Sequence, residues 1–481
     1  MPDEIWQWSA VQTADAIRNG LISSREAVAS TLQRIEEVNP VVNALAEVLS
    51  DDALAAADQA DTLRMSGAPL GPLHGVPVTT KINSDQAGRA TTNGVGAFRD
   101  AVVEVDAPHI ENLRAAGAVF VGRSNTPSFS IRWFTDNQLH GRTFNPWDRE
   151  RTPGGSSGGA AAATASGMGT IAHGNDIGGS IRYPAAACGV VGLRPTPGRV
   201  PHWYGPWDTD MLLGTQLMEV EGPIARSVAD VELGLRAMAA PNPRDPSYVP
   251  APLQGLPQGP RRAAVLRDVG VAALDPAVDA AITTAAGWLH DAGYEVEEVE
   301  LPLFAEAWRL WWQLVQGVEF EDLGRLIEQH GDDAIRKSAD LQFAVTKRMH
   351  SDFSLDAYVR GYGRRGTLMR ALQLFLQDFQ VLLTPISAER TFEIDADVQD
   401  VDRMEQVINA QWPMMSLAFL GFPGLSVPVT LGNGLPIGVQ LVGQKFREDV
   451  LLQAGRVIEA RNDVPSPITP AFSAATETAR L

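Results

Sequence analysis

The chain has 481 residues, 44% of them hydrophobic and 20% charged, which excludes a disordered chain lacking the apolar content to offset ordering entropy. Its 39 Lys and Arg against 58 Asp and Glu leave a net charge of −19. That charge repels phosphate backbones and anionic lipid, so neither a nucleic-acid nor a membrane partner is expected.

The start, Met1 to Trp6, is acidic and lacks the basic-then-apolar order of an export signal. No window reaches ~18 consecutive apolar residues, so no membrane span is expected. A lone cysteine, Cys188, excludes an intrachain disulfide framework and fits a reducing compartment; a cytoplasmic protein is the expectation. The first 65 residues read as helical. Leu21 to Leu49 carries apolar residues at mixed spacings of three and four behind the candidate caps Ser23 and Ser24, and Ala53 to Met65 continues the pattern. The texture changes at Gly71. A buried strand is expected over Val76 to Ile82, and short apolar runs follow at Ala118–Val121 and Cys188–Leu193. Gly158 to Ala172 reads as a tightly packed internal helix.

Pro241 to Pro260 is a linker candidate. Beyond it the pattern predicts a strand at Ala263–Leu266, a helix at Pro276–Asp291, a strand at Tyr294–Leu301 and helices over 303–380. Strands at Phe379–Pro385, Gly424–Val429 and Leu435–Val442 and a helix at Glu448–Arg461 close the chain. Alternating strands and helices predict an α/β fold, a mixed central sheet flanked by helices on both sides. The expected division is a helical segment over 1–65, a catalytic core over 66–240 and 380–481, and a partly helical insertion over 261–380 lining the substrate entrance.

The segment Thr152-Pro153-Gly154-Gly155-Ser156-Ser157-Gly158-Gly159 is the outstanding feature. Glycine lets the main chain approach a ligand, and the helix that follows turns N–H groups toward negative charge. Gly154 to Gly158 satisfies the G-x-S-x-G pattern, but that pattern needs a strand before its serine. The preceding residues Asn145 to Pro153 hold two prolines and four charges, which no central strand does. No phosphate-binding P-loop occurs. A second unit, Asn175-Asp176-Ile177-Gly178-Gly179-Ser180-Ile181-Arg182, offers the N–H groups of Ile177, Gly178, Gly179 and Ser180 as a nest for an oxyanion. Asp176 and Arg182 flank its serine, placed to pair behind it. A serine nucleophile needs a base. His173 and Lys81 are both candidates: the first sits in a packed strand end, the second follows an apolar run and would be a neutral amine if buried. Without an H-E-x-x-H or a Cys-His cluster, no metal is expected, and Cys188 reads as a small buried residue.

These motifs resemble the amidase signature family. Gly71-Pro72-Leu73-His74-Gly75-Val76-Pro77 leading to Lys81 resembles its catalytic-lysine strand, the Gly-Gly-Ser-Ser-Gly-Gly run its signature loop, and Asp176 to Arg182 its nucleophile turn. Gly189 to Thr196, Gly421 to Gly424 and Asn433 to Gly438 also match, so the resemblance covers about residues 5–465. It implies a mixed sheet flanked by helices and a Ser–Ser–Lys triad that cleaves an amide through an acyl-enzyme, with no cofactor. Ser180 would be the nucleophile, Ser156 the bridging serine after a cis peptide bond, and Lys81 the general base. The oxyanion hole would be Ile177, Gly178, Gly179 and Ser180, with Ser157, Asp176 and Arg182 in support. The family places acyl-pocket residues near Ser130, Ile131, Trp133 and Gly155.

Amidotransferase A-type subunits of this family carry a Tyr-Asp-Gly-like glutamine motif that has no counterpart in residues 303–380. Trp133-Phe134, Trp203-Tyr204, Trp207, Trp308, Trp311 and Trp312 instead suggest an apolar or aryl amide as substrate. The expectation is therefore a small-molecule amide hydrolase releasing ammonia or an amine. The alternative is an amidotransferase A-type subunit or a partner-dependent scaffold. The oligomeric state, a homodimer included, is left open.

Overall fold

The structure, a computed structural model, describes residues 4–203, 210–255, 261–470 and 472. Eleven strands form one sheet. In chain order they are β1 (Leu45–Val48), β2 (Pro77–Lys81), β3 (Val119–Ser124), β4 (Ile171–Asp176), β5 (Val191–Arg194) and β6 (Val220–Ala225). Then come β7 (Arg262–Val265), β8 (Glu295–Glu298), β9 (Val381–Pro385), β10 (Gly424–Gly432) and β11 (Leu435–Val442). The order across the sheet is β1-β3-β2-β4-β6-β5-β10-β11-β9-β7-β8. Strands β3, β2 and β4 run parallel, as do β9, β7 and β8; the middle of the sheet, from β4 through β6, β5, β10 and β11 to β9, is antiparallel. The sheet is mixed, as the alternation predicted.

Strand residues alternate between two apolar layers, because successive side chains point to opposite faces. Leu383, Ala263 and Val265 belong to one layer, covered by the helices Val228–Met238, Pro276–Asp291 and Glu448–Glu459. Leu382 and Ala264 belong to the other layer, which includes the helices Leu303–Trp311 and Trp412–Leu420. Strands β7 and β8, from the 261–380 stretch, extend the same sheet as the strands of the core.

Two segments differ from the sequence reading. The stretch Leu21 to Leu49 is not helical throughout: its helix runs Ser24–Val42, and Leu45–Val48 is the edge strand β1. Asn43 ends the helix in a left-handed conformation (φ 51°), and the Asn39 amide then holds both polar groups of Leu45, at 3.0 and 2.8 Å. Asn is among the few residues that adopt this conformation readily. The internal helix after the signature loop spans only Gly158–Ala165; Ile171 onward is β4. Small residues made the two segments look continuous, but Gly167 and Gly169, both at positive φ, break the helix. Of the linker candidate, Pro257 and Pro260 lie outside the described residues, as do Tyr204 and Trp207.

Candidate active site

Parallel pairing of β2 and β4 brings two strand ends together. Val78 lies opposite Ile171 and Thr79 opposite Ala172, so Lys81 and Asn175 emerge side by side. Lys81 is fully buried. Its Nζ lies in hydrogen-bond contact with Ser156 Oγ at 2.7 Å and donates to Asn175 Oδ1 at 2.6 Å. Burial pushes the amine's pKa down to about 7, against the opposing pull of Glu219, Glu221 and Asp176.

Ser156 is held in place by close main-chain packing. The Gly155–Ser156 peptide bond is cis. A Cβ on Gly155 would meet the Arg132 carbonyl oxygen at 2.3 Å, so only glycine lets the chain pass there. Thr126 Oγ1 donates to the Ser156 carbonyl at 3.0 Å, and Thr135 Oγ1 to that of Gly154 at 2.9 Å. Ser157 N–H donates to the Ser180 carbonyl at 3.2 Å, tying the signature loop to the second glycine–serine turn.

That turn is organised around the carboxylate of Asp176. Arg182 Nε and Nη2 donate to it at 2.9 Å each, and Arg194 Nη1 at 3.3 Å. The two guanidinium groups hold its carboxyl well below the usual carboxylate range against the opposing effect of burial. The same carboxylate accepts from Gly179 N–H at 2.9 Å and Ile181 N–H at 3.2 Å. Gly179 sits at φ 105°, where a Cβ would meet Met414 Sδ at 2.6 Å. Of the four amides suggested as an oxyanion nest, Gly179 is thus already engaged by Asp176. Those of Ile177, Gly178 and Ser180 have no acceptor among the described residues. Buried amides are nearly always paired, so these three mark a place for an acceptor.

A cavity of about 400 Å³ opens on this array. Ser156, Asn175, Ile177 and Ser180 form its floor residues, and Phe98, Phe129, Ile131, Met211, Leu212, Phe320, Leu323 and Leu326 supply apolar walls. Asp85, Asp210 and Glu219 also face it, with no lysine or arginine among the described lining residues. Of the pocket candidates, Ser130 and Ile131 line the cavity; Ser130 Oγ pairs with Thr126 Oγ1 at 2.8 Å and Asn93 Oδ1 at 2.6 Å. Trp133 and Gly155 do not line it. The Trp133 indole N–H instead donates to the Gly178 carbonyl at 3.1 Å, behind the turn. Trp311 likewise donates to the Ile177 carbonyl at 3.1 Å, and Trp308 to Ile408 at 3.4 Å. Trp203 is exposed.

His173 lies beneath Lys81 rather than beside a serine. Its Nδ1 accepts from the Lys81 backbone N–H at 3.3 Å, so its Nε2 carries the proton and donates to Glu221 Oε2 at 2.5 Å. His202 Nδ1 reaches the other oxygen of Glu221 at 2.9 Å, and His109 stacks on His173 with ring centroids 4.4 Å apart. His109, His173 and Glu221 are the one described group whose donor atoms lie close enough together for a metal, within 4.8 Å. His173 Nε2 already spends its proton on Glu221, which makes the group a buried hydrogen-bonded support under β2. Cys188 is buried, its thiol pushed well up by desolvation. The residue the sequence reading passed over is Asn175. Its place directly before Asp176 at a strand end was the available signal.

The Amidase family model matches residues 26–452. The chain belongs to the amidase family. It is an amidase, an enzyme of amide C–N hydrolysis. Among its relatives, an indoleacetamide hydrolase of Bradyrhizobium diazoefficiens is 44% identical over 464 residues, covering 96% of this chain and 87% of that protein. The A-type component of a glutamyl-tRNA(Gln) amidotransferase from a Synechococcus species is 33% identical, covering 92% of this chain and 94% of the relative. Among solved structures, a bacterial aryl acylamidase of the amidase signature enzymes superposes with a TM-score of 0.82 at 26% identity, covering 95% of this amidase and 97% of that chain. No described helix is long and apolar enough to cross a membrane.

Proposed function

We propose that this amidase hydrolyses a neutral arylacetamide, of the indole-3-acetamide class, through an acyl-enzyme on Ser180. The observation that carries the reading is the buried Lys81–Ser156 contact of 2.7 Å at the floor of a cavity that Ser180 also lines. A neutral Lys81 donates one N–H to Asn175 Oδ1 and offers its lone pair to the Ser156 hydroxyl proton. Ser156 in turn takes the proton of Ser180, whose Oγ attacks the amide carbon. The carbonyl oxygen becomes an oxyanion in front of the N–H groups of Ile177, Gly178 and Ser180, which have no acceptor among the described residues. The C–N bond then breaks, the proton returns through Ser156 to the leaving nitrogen, and ammonia departs. Water enters by the same relay to release the arylacetic acid. A hydroxyl in the bridging position passes a proton without holding a charge in a dry site.

The lining favours this substrate class over glutamine. Glutamine brings an α-carboxylate, and the cavity presents Asp85, Asp210 and Glu219 with no basic residue among the described lining residues. An aryl ring instead meets Phe98, Phe129, Phe320 and Leu323. The name of the Bradyrhizobium relative and that of the aryl acylamidase structure support the same class.

A fluorophosphonate probe followed by peptide mapping tests the nucleophile. The adduct is expected on Ser180. Ser180→Ala should remain folded, fail to label, and lose indole-3-acetamide hydrolysis by at least about 10⁴-fold. An adduct on Ser156, or unchanged turnover by the variant, would overturn the assignment.

A further inference from the structure

Two glycines in the nucleophile turn create a problem that two tryptophans answer. The peptide plane between Gly178 and Gly179 has glycine on both sides, and glycine tolerates most backbone angles. The plane before it, Ile177–Gly178, has glycine on one side. Rotation of the Ile177–Gly178 plane would redirect the Gly178 N–H, one of the three amides without an acceptor among the described residues, and rotation of the next plane would disturb it in turn. A trans peptide holds N–H and C=O on opposite sides of a rigid plane, so fixing the carbonyl fixes the direction of the amide.

In this chain the Ile177 carbonyl accepts from Trp311 Nε1 at 3.1 Å and the Gly178 carbonyl from Trp133 Nε1 at 3.1 Å. Each is the sole hydrogen bond to that carbonyl among the described residues. The second plane is also gripped at its other end, where Gly179 N–H donates to Asp176 Oδ1 at 2.9 Å. The first plane has only the indole, and its amide, Gly178 N–H, is one of the three without an acceptor. The two indoles are braced through Trp312, edge-on to both, with ring centroids 6.4 Å from Trp133 and 5.1 Å from Trp311.

We propose that Trp311, with Trp133 as its lesser partner, is a positioning residue: its indole N–H holds the Ile177–Gly178 peptide so that the Gly178 amide faces the reacting carbonyl. This rests on the reading of Ser180 as the nucleophile. It also moves Trp133 from the pocket wall, where the sequence placed it, to the back of the turn.

The test compares Trp311→Phe, Trp133→Phe and Trp308→Phe with the parent enzyme on indole-3-acetamide. Trp308 is the control, buried on the same helix as Trp311 with its N–H on Ile408, away from the turn. Loss of a whole oxyanion donor costs about 10²–10³ in kcat. Trp311→Phe should cost roughly 10- to 100-fold in kcat with KM within about twofold. Inhibition by indole-3-acetaldehyde, which forms a tetrahedral adduct on serine, should weaken by the same factor, and inhibition by the product acid should not change. Trp133→Phe should show the same pattern with a smaller loss, because Asp176 still pins its plane. Trp308→Phe should leave kcat in place. Replacing Trp311 by 3-benzothienylalanine, which keeps the ring shape and removes the N–H, should reproduce the Phe variant. An unchanged kcat in the benzothienyl enzyme, or an equal loss in the Trp308 control, overturns the proposal. If Ser180→Ala stays active, both readings fall; if Ser180→Ala is dead and the Trp311 variants turn over normally, only the positioning role falls.

Discussion

The turn Asp176–Arg182 and the cavity wall opposite it face the same space and are built in opposite ways. The turn is seven consecutive residues, nearly all buried, its carboxylate locked to the Arg182 guanidinium and two backbone amides of the turn and to Arg194 from β5. The wall comes from separate stretches around Asp210–Glu219 and Phe320–Leu326, with side chains half-buried or exposed. Glu319 joins the two stretches by accepting from Gly214 N–H at 2.8 Å and from the hydroxyls of Tyr358 and Tyr362. The contrast teaches where each property is encoded. On the proposed mechanism, bond-making geometry resides in a short, hydrogen-bonded segment, and choice of substrate in surfaces assembled from distant parts of the chain.

If that division is right, damage to the two regions should differ in kind. The largest effect belongs to Asp176→Asn. It leaves two buried guanidinium groups without their carboxylate, a loss of about 3–5 kcal/mol, visible as a much lower Tm. Activity should fall with it, since Gly179 and Ile181 lose their anchor. The same network sets a pH dependence. The folded carboxyl titrates below its unfolded value, so its contribution is full above about pH 4 and is lost as pH falls toward the folded pKa. Parent and variant melts should therefore converge in strong acid.

A smaller and different effect belongs to the wall. Phe320→Ala should raise KM for indole-3-acetamide about fivefold, on the order of 1 kcal/mol of lost apolar contact, and leave kcat and Tm nearly in place. Propionamide, with no ring to place, should be hydrolysed at the parental rate. Leu326→Ser, at a position 44% exposed on the rim, should change KM by less than about twofold. A fall in kcat for Phe320→Ala equal to that of Trp311→Phe would erase the distinction between wall and turn.

The same division explains what could be read from the sequence. Ser156 and Ser180 sit in motifs where glycine and serine have no core-packing reason to recur, and the pairing of Asp176 with Arg182 follows from their flanking places, whereas the residues alone left Lys81 and His173 both open as the base and only the family resemblance separated them. Much of the sheet was legible because strands such as β7 and β11 are short apolar runs between turn residues, whereas β6, with Glu221, Gly222 and Pro223 inside it, was not read as a strand. The strand Leu45–Val48 was hidden because Asn39 and Asn43, not an apolar period, define it. Asn175 was hidden because its partner, Lys81, is distant in sequence and adjacent only through the β2–β4 pairing. Trp133 and Trp311 were visible as aromatic residues, but whether an indole walls a cavity or grips a carbonyl depends on where its N–H points. Nothing local sets that.

The central claim is that a desolvated, neutral Lys81 starts the proton relay, and the pH dependence of kcat/KM for indole-3-acetamide tests it most directly. Burial places the amine's pKa at about 7, against an ordinary value of 10.5. Below that midpoint the amine is protonated and has no lone pair for Ser156. The account predicts an acid limb centred near pH 7, a plateau above it, and no comparable turnover at any pH in Lys81→Arg, whose guanidinium stays charged. A profile flat from pH 5 to 9, or substantial activity in Lys81→Arg, would contradict it.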